Sequence, residues 1–109
     1  MSIHEKLTRL VEAMNSNPTH LSSLNAFYGF EIKDQEENYS VKFEQNRVEL
    51  LEELIENTDC TLRLKGKHLE ELIDGTLNAT SAFMMGKIKV DGDLTLALKL
   101  QNILKEYRQ

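Results

Sequence analysis

Apolar residues recur at helical spacing at the start of the chain, where Ile3, Leu7, Leu10, Val11 and Met14 share one face. Ser2 and Glu5 precede that run in a capping-box pattern, which satisfies backbone N–H groups that a helix start leaves free. Asn15 to Pro18 ends the helix. From Leu21 to Ile32 the period changes to alternation, with Leu24, Ala26, Tyr28, Phe30 and Ile32 on one face, as in a strand with one wet side. Asp34 to Asn38 is a polar turn. Tyr39, Val41 and Phe43 then alternate with Ser40, Lys42 and Glu44, which predicts a second strand and an antiparallel hairpin.

Arg47 to Glu56 is ambiguous. Val48, Leu51, Leu54 and Ile55 fit a helix, whereas Val48 and Leu50 suit a third strand followed by a loop; periodicity alone favours the helix. Cys60, Leu62 and Leu64 alternate with Thr61, Arg63 and Lys65 and predict another strand, ended by Gly66. His68 to Asp74 is a short helix burying Leu69, Leu72 and Ile73, with Gly75 placed to cap its C-terminus. Ala79 to Met85 predicts a further helical turn. Gly86 releases the chain into a strand, Lys87 to Val90, and Asp91-Gly92-Asp93 turns it into a last helix. Asp93 is the natural N-cap there, because its carboxylate accepts from free N–H groups and complements the helix dipole. Leu96, Ala97, Leu100, Ile103, Leu104 and Tyr107 form one broad apolar stripe on this helix, and Leu94 and Leu98 lie outside it. Such a surplus has three explanations: deeper burial, a subunit interface, or the wall of a ligand cavity.

The run SAFMMGKIKVDGDLTLALKLQNIL, Ser81 to Leu104, resembles the C-terminal signature of the sterol carrier protein 2 family, in which Ala-Phe-Met, Gly-Lys-x-Lys, Gly-Asp and a Leu-rich helix follow one another. Asp59-Cys60-Thr61-Leu62 is similar to that family's Asp-x-Thr-Leu strand, and His68 to Leu72 to its short helix before a Gly. The resemblance runs from Asp59 to Leu104, with Leu77 to Ser81 standing where relatives often carry a Pro. It implies an α+β fold, a mixed and mostly antiparallel five-stranded sheet covered on one face by helices, and it assigns Arg47 to Leu51 to a strand; Glu52 to Asn57 after it is read as helical. It also implies an apolar tunnel between sheet and helices. Phe83 and Met84 would border that tunnel, Leu98 and Leu100 would form wall, and Met85, Leu72, Leu77 and Leu94 complete the apolar set. From the residues alone, Phe83-Met84-Met85 is more often plain core than a ligand site, although Met's unbranched, polarizable side chain suits a lipid tunnel. Lys87 and Lys89 match Gly-Lys-x-Lys as solvated strand residues.

The remaining features set bounds. A chain of 109 residues is the size of one ordinary domain, here 1–109, and 40% hydrophobic with 28% charged residues is a soluble globular composition. A net charge of -5 with scattered Lys and Arg disfavours nucleic acid as a partner, and leaves room for only brief docking to an anionic membrane. One cysteine excludes an internal disulfide and makes a reducing cytoplasm the expected setting. The N-terminus lacks a continuous apolar h-region and Glu106-Tyr107-Arg108-Gln109 is not a peroxisomal address.

Catalytic and metal constellations are thin. His4, His20 and His68 have no motif spacing to each other or to Cys60, and Glu52-Glu53 and Glu70-Glu71 do not converge on one atom. Asp91-Gly92-Asp93 lacks the other ligands of a calcium loop, and Gly66-Lys67 and Gly86-Lys87 lack the rest of a phosphate loop. No catalytic residue, metal or cofactor is assigned. The leading expectation is a non-catalytic lipid carrier that holds a fatty acyl chain, acyl-CoA or another apolar ligand. The alternative is an interaction module, where Leu94, Leu98 and Met85 form a homodimer or docking face.

Overall fold

A computed structural model describes residues 2–108. Gln109, the last residue of the segment read for a targeting address, lies outside them, as does Met1. Helix α1 (Ile3–Ser16) begins where Ser2 Oγ accepts from the Glu5 N–H at 3.1 Å. Its Ile3, Leu7, Leu10 and Met14 are buried, as the spacing predicts. A short 3-10 turn (Pro18–Leu21) follows, and Ser22 and Ser23 both take a φ of 54°. That left-handed pair stops the extended backbone expected from Leu21, so strand β1 is Ala26–Ile32. β2 (Glu37–Glu44) and β3 (Arg47–Leu51) complete an antiparallel meander. β4 (Cys60–Leu64) pairs parallel to β1, and β5 (Ile88–Gly92) pairs antiparallel to β4. The sheet order is β3-β2-β1-β4-β5. It is the mixed, mostly antiparallel five-stranded sheet of an α+β fold.

Helices α2 (Gly66–Ile73), α3 (Ala79–Met84) and α4 (Leu94–Glu106) complete the chain. Gly66, expected to end the strand, starts α2 instead, and β4 stops at Leu64. The α2 terminus is a Schellman motif: Gly75, at φ +78°, donates to Leu72 and Thr76 donates to Glu71. Asp93 caps α4 by accepting from Thr95 N–H at 2.8 Å. α4 is pinned to the sheet where the buried Tyr28 hydroxyl donates to the Leu96 carbonyl at 2.7 Å. The Asn15 side chain holds α1 to β3 through both backbone groups of Val48, each at 2.8 Å.

Residues 52–59 carry the chain from β3 across to β4, and they are irregular rather than helical. The reason lies on the sheet. Ser40 Oγ, fully buried, donates to the Glu53 carbonyl (2.7 Å) and accepts from Ile55 N–H (3.0 Å), which takes backbone groups a helix would have used internally. Beside it Gly29 opens the space, since a Cβ there would stand 2.5 Å from Leu54 Cδ1. Ser40→Ala leaves two backbone groups unpaired and is expected to lower stability by about 1–3 kcal/mol. An unchanged urea midpoint would show that Ser40 does not hold the crossing.

Candidate functional site

Between the helices and the sheet runs an apolar seam bounded by Leu10 and Val11 of α1, Phe30 and Val41 of the sheet, Ile73 of α2 and Leu100 of α4. Each wall arises from the local pattern: one helical face on α1, alternation on β1 and β2, the broad stripe on α4. The seam is nearly closed, with about 10 Å³ of free room, the threshold for one water. As it stands the seam has no room for a ligand larger than a water molecule.

Leu10 and Ile73 also floor an open groove of about 210 Å³ at the end of the seam, rimmed by Lys6, Arg9, Asp74, Tyr107 and Arg108. Apolar seam and polar groove therefore lie against the same two side chains. Three cations face one carboxylate on this rim, in a chain whose net charge is -5. Lys6 Nζ reaches Asp74 Oδ2 at 3.2 Å and bridges α1 to the end of α2 across the mouth. With Asp74 exposed, this bridge contributes under about 1 kcal/mol and is a weak latch. Arg9 and Arg108 form no ion pair with a described residue. The Tyr107 hydroxyl is committed elsewhere, donating to the Asn17 carbonyl and accepting from His20 N–H, so its ring forms wall.

The structure disperses the residues singled out from sequence. Leu100 lines the seam, and Leu72 and Leu77 are buried in the core. Leu98 is half-buried and Leu94 exposed. Phe83, Met84 and Met85 are 41%, 79% and 68% exposed, so the bottom-up expectation that this cluster is plain core is corrected: α3 turns Ala79 and Ala82 inward instead. Lys87 and Lys89 are exposed, as expected. The cationic rim escaped the sequence reading. Lys6 and Arg9 flank Leu7 and Leu10 on α1, but nothing in the sequence brings the end of α4 beside them.

The titratable groups elsewhere are separate. Cys60 is fully buried, and burial, aided by the Asp93 carboxylate, pushes its thiol up to about 11. Burial likewise raises the Tyr28 phenol above its ordinary range. His4, His20 and His68 each meet a different Glu: Glu52, Glu106 and Glu71. Among the described residues no three His, Cys, Asp or Glu side chains are grouped to hold a metal ion. No helix among them is long and apolar enough to cross a membrane.

A mixed sheet under helices, with an apolar seam beside a polar groove, defines a small α+β domain with its inner face turned to the helices. The chain belongs to the SCP-2 sterol transfer family, whose model matches residues 6–105, and so stands among lipid-binding and lipid-transfer domains. Sterol carrier protein 2 of Oryctolagus cuniculus is 30% identical over 87 residues, covering 76% of this chain. The chain spans 16% of the length of that curated relative. Two solved structures share the fold. The sterol carrier protein domain 2 of Helicoverpa armigera superposes with a TM-score of 0.77 at 24% identity, over 94% of this chain and 85% of the other. The palmitated SCP2L2 of Aedes aegypti gives 0.75 at 21%, over 100% and 99%.

Proposed function

We propose that residues 1–109 act as one non-catalytic carrier unit for a single-chain anionic amphiphile, a fatty acid or an acyl-CoA. The tail lies in the seam between sheet and helices, and the head lies in the groove of Lys6, Arg9 and Arg108. The observation that carries this reading is the adjacency of the two, since Leu10 and Ile73 belong to both. Tail burial stabilises at roughly 0.8 kcal/mol per methylene, enough to offset prising apart helices that are latched at the mouth by one weak ion pair. The palmitated state of the mosquito relative supports an acyl chain as ligand. A single cysteine, fully buried, suits a reducing cytoplasm as its setting.

Native mass spectrometry of gently purified protein, followed by organic extraction, is expected to show a fatty acyl species in near-stoichiometric amount. Val11 is half-buried on the seam, so Val11→Phe fills the seam without overpacking a sealed site. Palmitate affinity of the folded variant should fall by at least about tenfold, about 1.4 kcal/mol. A lipid-free protein whose mass does not shift with palmitate, or a folded Val11→Phe variant that binds it as well as the parent, would refute the carrier reading.

A further inference from the structure

The two edges of the sheet are finished differently. Backbone direction alternates along a strand, so every second residue of an edge strand aims its N–H and C=O outward. On β3 one such residue is Val48, and the Asn15 side chain takes both of its groups at 2.8 Å, which closes that edge. On β5 the phase follows from β4. The Leu64 carbonyl accepts from Lys33 N–H at 3.0 Å, just past β1, so Thr61 and Arg63 aim the other way, at their partners Asp91 and Lys89 in β5. Val90, between those two, therefore aims both backbone groups away from the sheet, and neither has a protein partner among the described residues. Ile88 is buried, whereas Val90 is half-buried and Lys89, Asp91 and Gly92 are exposed, so the open stretch is Lys89 to Gly92.

Apolar surface that the core leaves unused brackets this open stretch. Phe83, Met84 and Met85 precede β5 and Leu94 follows it; of the exposed large apolar side chains among the described residues, only Leu54 lies elsewhere. The leading group is held rigidly. Gly86, at φ +78°, donates to the Phe83 carbonyl (3.1 Å) and Lys87 N–H to the Ala82 carbonyl (2.8 Å), a second Schellman closure that fixes the two methionines at the head of the strand. Within β5 the two exposed side chains on either side of Val90 carry opposite charge, Lys89 before it and Asp91 after.

We propose that β5 pairs antiparallel with β5 of a second copy of this chain, about a two-fold axis at Val90, so that two sheets become one. Val90 then exchanges both of its free hydrogen bonds with Val90 of the second copy. Charge complementarity selects this occupant and its register. At this axis Lys89 faces Asp91 of the second copy and Asp91 faces its Lys89, whereas an axis one residue to either side sets Lys89 against Lys89 or Asp91 against Asp91. The same axis lays the head of one β5 beside the foot of the other, so Met84 and Met85 approach Leu94 of the second copy. A lysine on an edge strand discourages pairing with unrelated strands, and here the copy's own Asp91 answers it. Every contact is made twice, so the interface is isologous and closes at the dimer. The proposal stands independently of what the seam holds.

The test is sedimentation equilibrium of the full chain from about 1 μM to about 1 mM, where a mass rising from monomer to dimer is expected. Val90→Pro removes the donor at the axis, and an edge strand tolerates proline where the missing N–H points outward. That variant should keep the parent's circular dichroism and palmitate affinity and stay monomeric. Lys89→Glu sets like charges against each other in both halves of the interface and should weaken dimerisation at least about tenfold; adding Asp91→Lys to the same chain restores opposite charges and should recover the dimer. The charge exchange decides the matter even if Val90→Pro fails to fold. A dimer that Val90→Pro leaves intact, or a double variant no tighter than Lys89→Glu, overturns the proposal. So does a chain that is monomeric throughout, which leaves the edge to a strand from another protein.

Discussion

Gly92→Ala is expected to destabilise the protein by about 3 kcal/mol or more, a fall in melting temperature of roughly 10–20 °C for a domain of this size. Gly92 has φ +108°, where an L side chain is strained, and a Cβ there would lie 2.4 Å from the backbone oxygen of Asp59 and 3.3 Å from Cys60 Cα. Neither atom can yield cheaply. Asp59 N–H donates to the Phe27 carbonyl at 2.7 Å, its Oδ2 accepts from Phe27 N–H at 2.8 Å, and its carbonyl accepts from Asp93 N–H at 3.3 Å. One residue thus ties the starts of β1 and β4 to the N-cap of α4. Moving it loosens the parallel pair at the centre of the sheet. Gly86→Ala is the matched control, because its φ is also positive but its surroundings are open; it should cost only about 1 kcal/mol. Equal urea midpoints for the two variants would show that the clash with Asp59 is relieved at no cost.

Arg9→Glu is expected to weaken palmitate binding by about 10–100-fold, while affinity for a neutral long-chain alcohol stays within about twofold. The reasoning is electrostatic. The rim of the groove presents Lys6, Arg9 and Arg108 against Asp74 alone, and a hydrogen bond to a charged head is worth about 1.5–3 kcal/mol. Reversing Arg9 removes one such donor and sets a carboxylate against the head. Arg9 is exposed on α1, so the helix and the seam should be undisturbed. Added salt should narrow the gap between parent and variant for palmitate and leave the alcohol unaffected. Equal losses for both ligands would mean that the substitution damages the seam and that the head does not reside in the groove.

The features legible in the sequence are those decided within a few residues. Ser2 and Asp93 cap their helices, Gly75 closes α2, and alternation in β1, β2 and β4 turns Tyr28, Phe30, Val41, Phe43, Leu62 and Leu64 inward. Register then follows, with Tyr28 opposite both Val41 and Cys60. Where local spacing was degenerate it misled. Residues 47–56 satisfy a helical period, but β3 gains a full ladder against β2 and the crossing gains Ser40, contacts that no window of that length contains. The extended segment was expected to begin at Leu21, yet Leu21 belongs to the tight turn after α1, because Ser22 and Ser23 turn left-handed before the strand begins.

The candidate site was legible to a smaller degree. The stripe marked Leu100 as apolar and the resemblance put it on a wall, but the seam and its cationic mouth are built from α1, α2 and α4, elements far apart in sequence. By itself the sequence determined which face of each element is apolar and where each element starts and stops, since caps, glycines and periodicity act through neighbouring backbone groups. Only the tertiary structure decided which apolar residues go unused. Two inward alanines satisfy the contact between α3 and the core, so Phe83, Met84 and Met85 are left in water although nothing in their composition distinguishes them from buried residues.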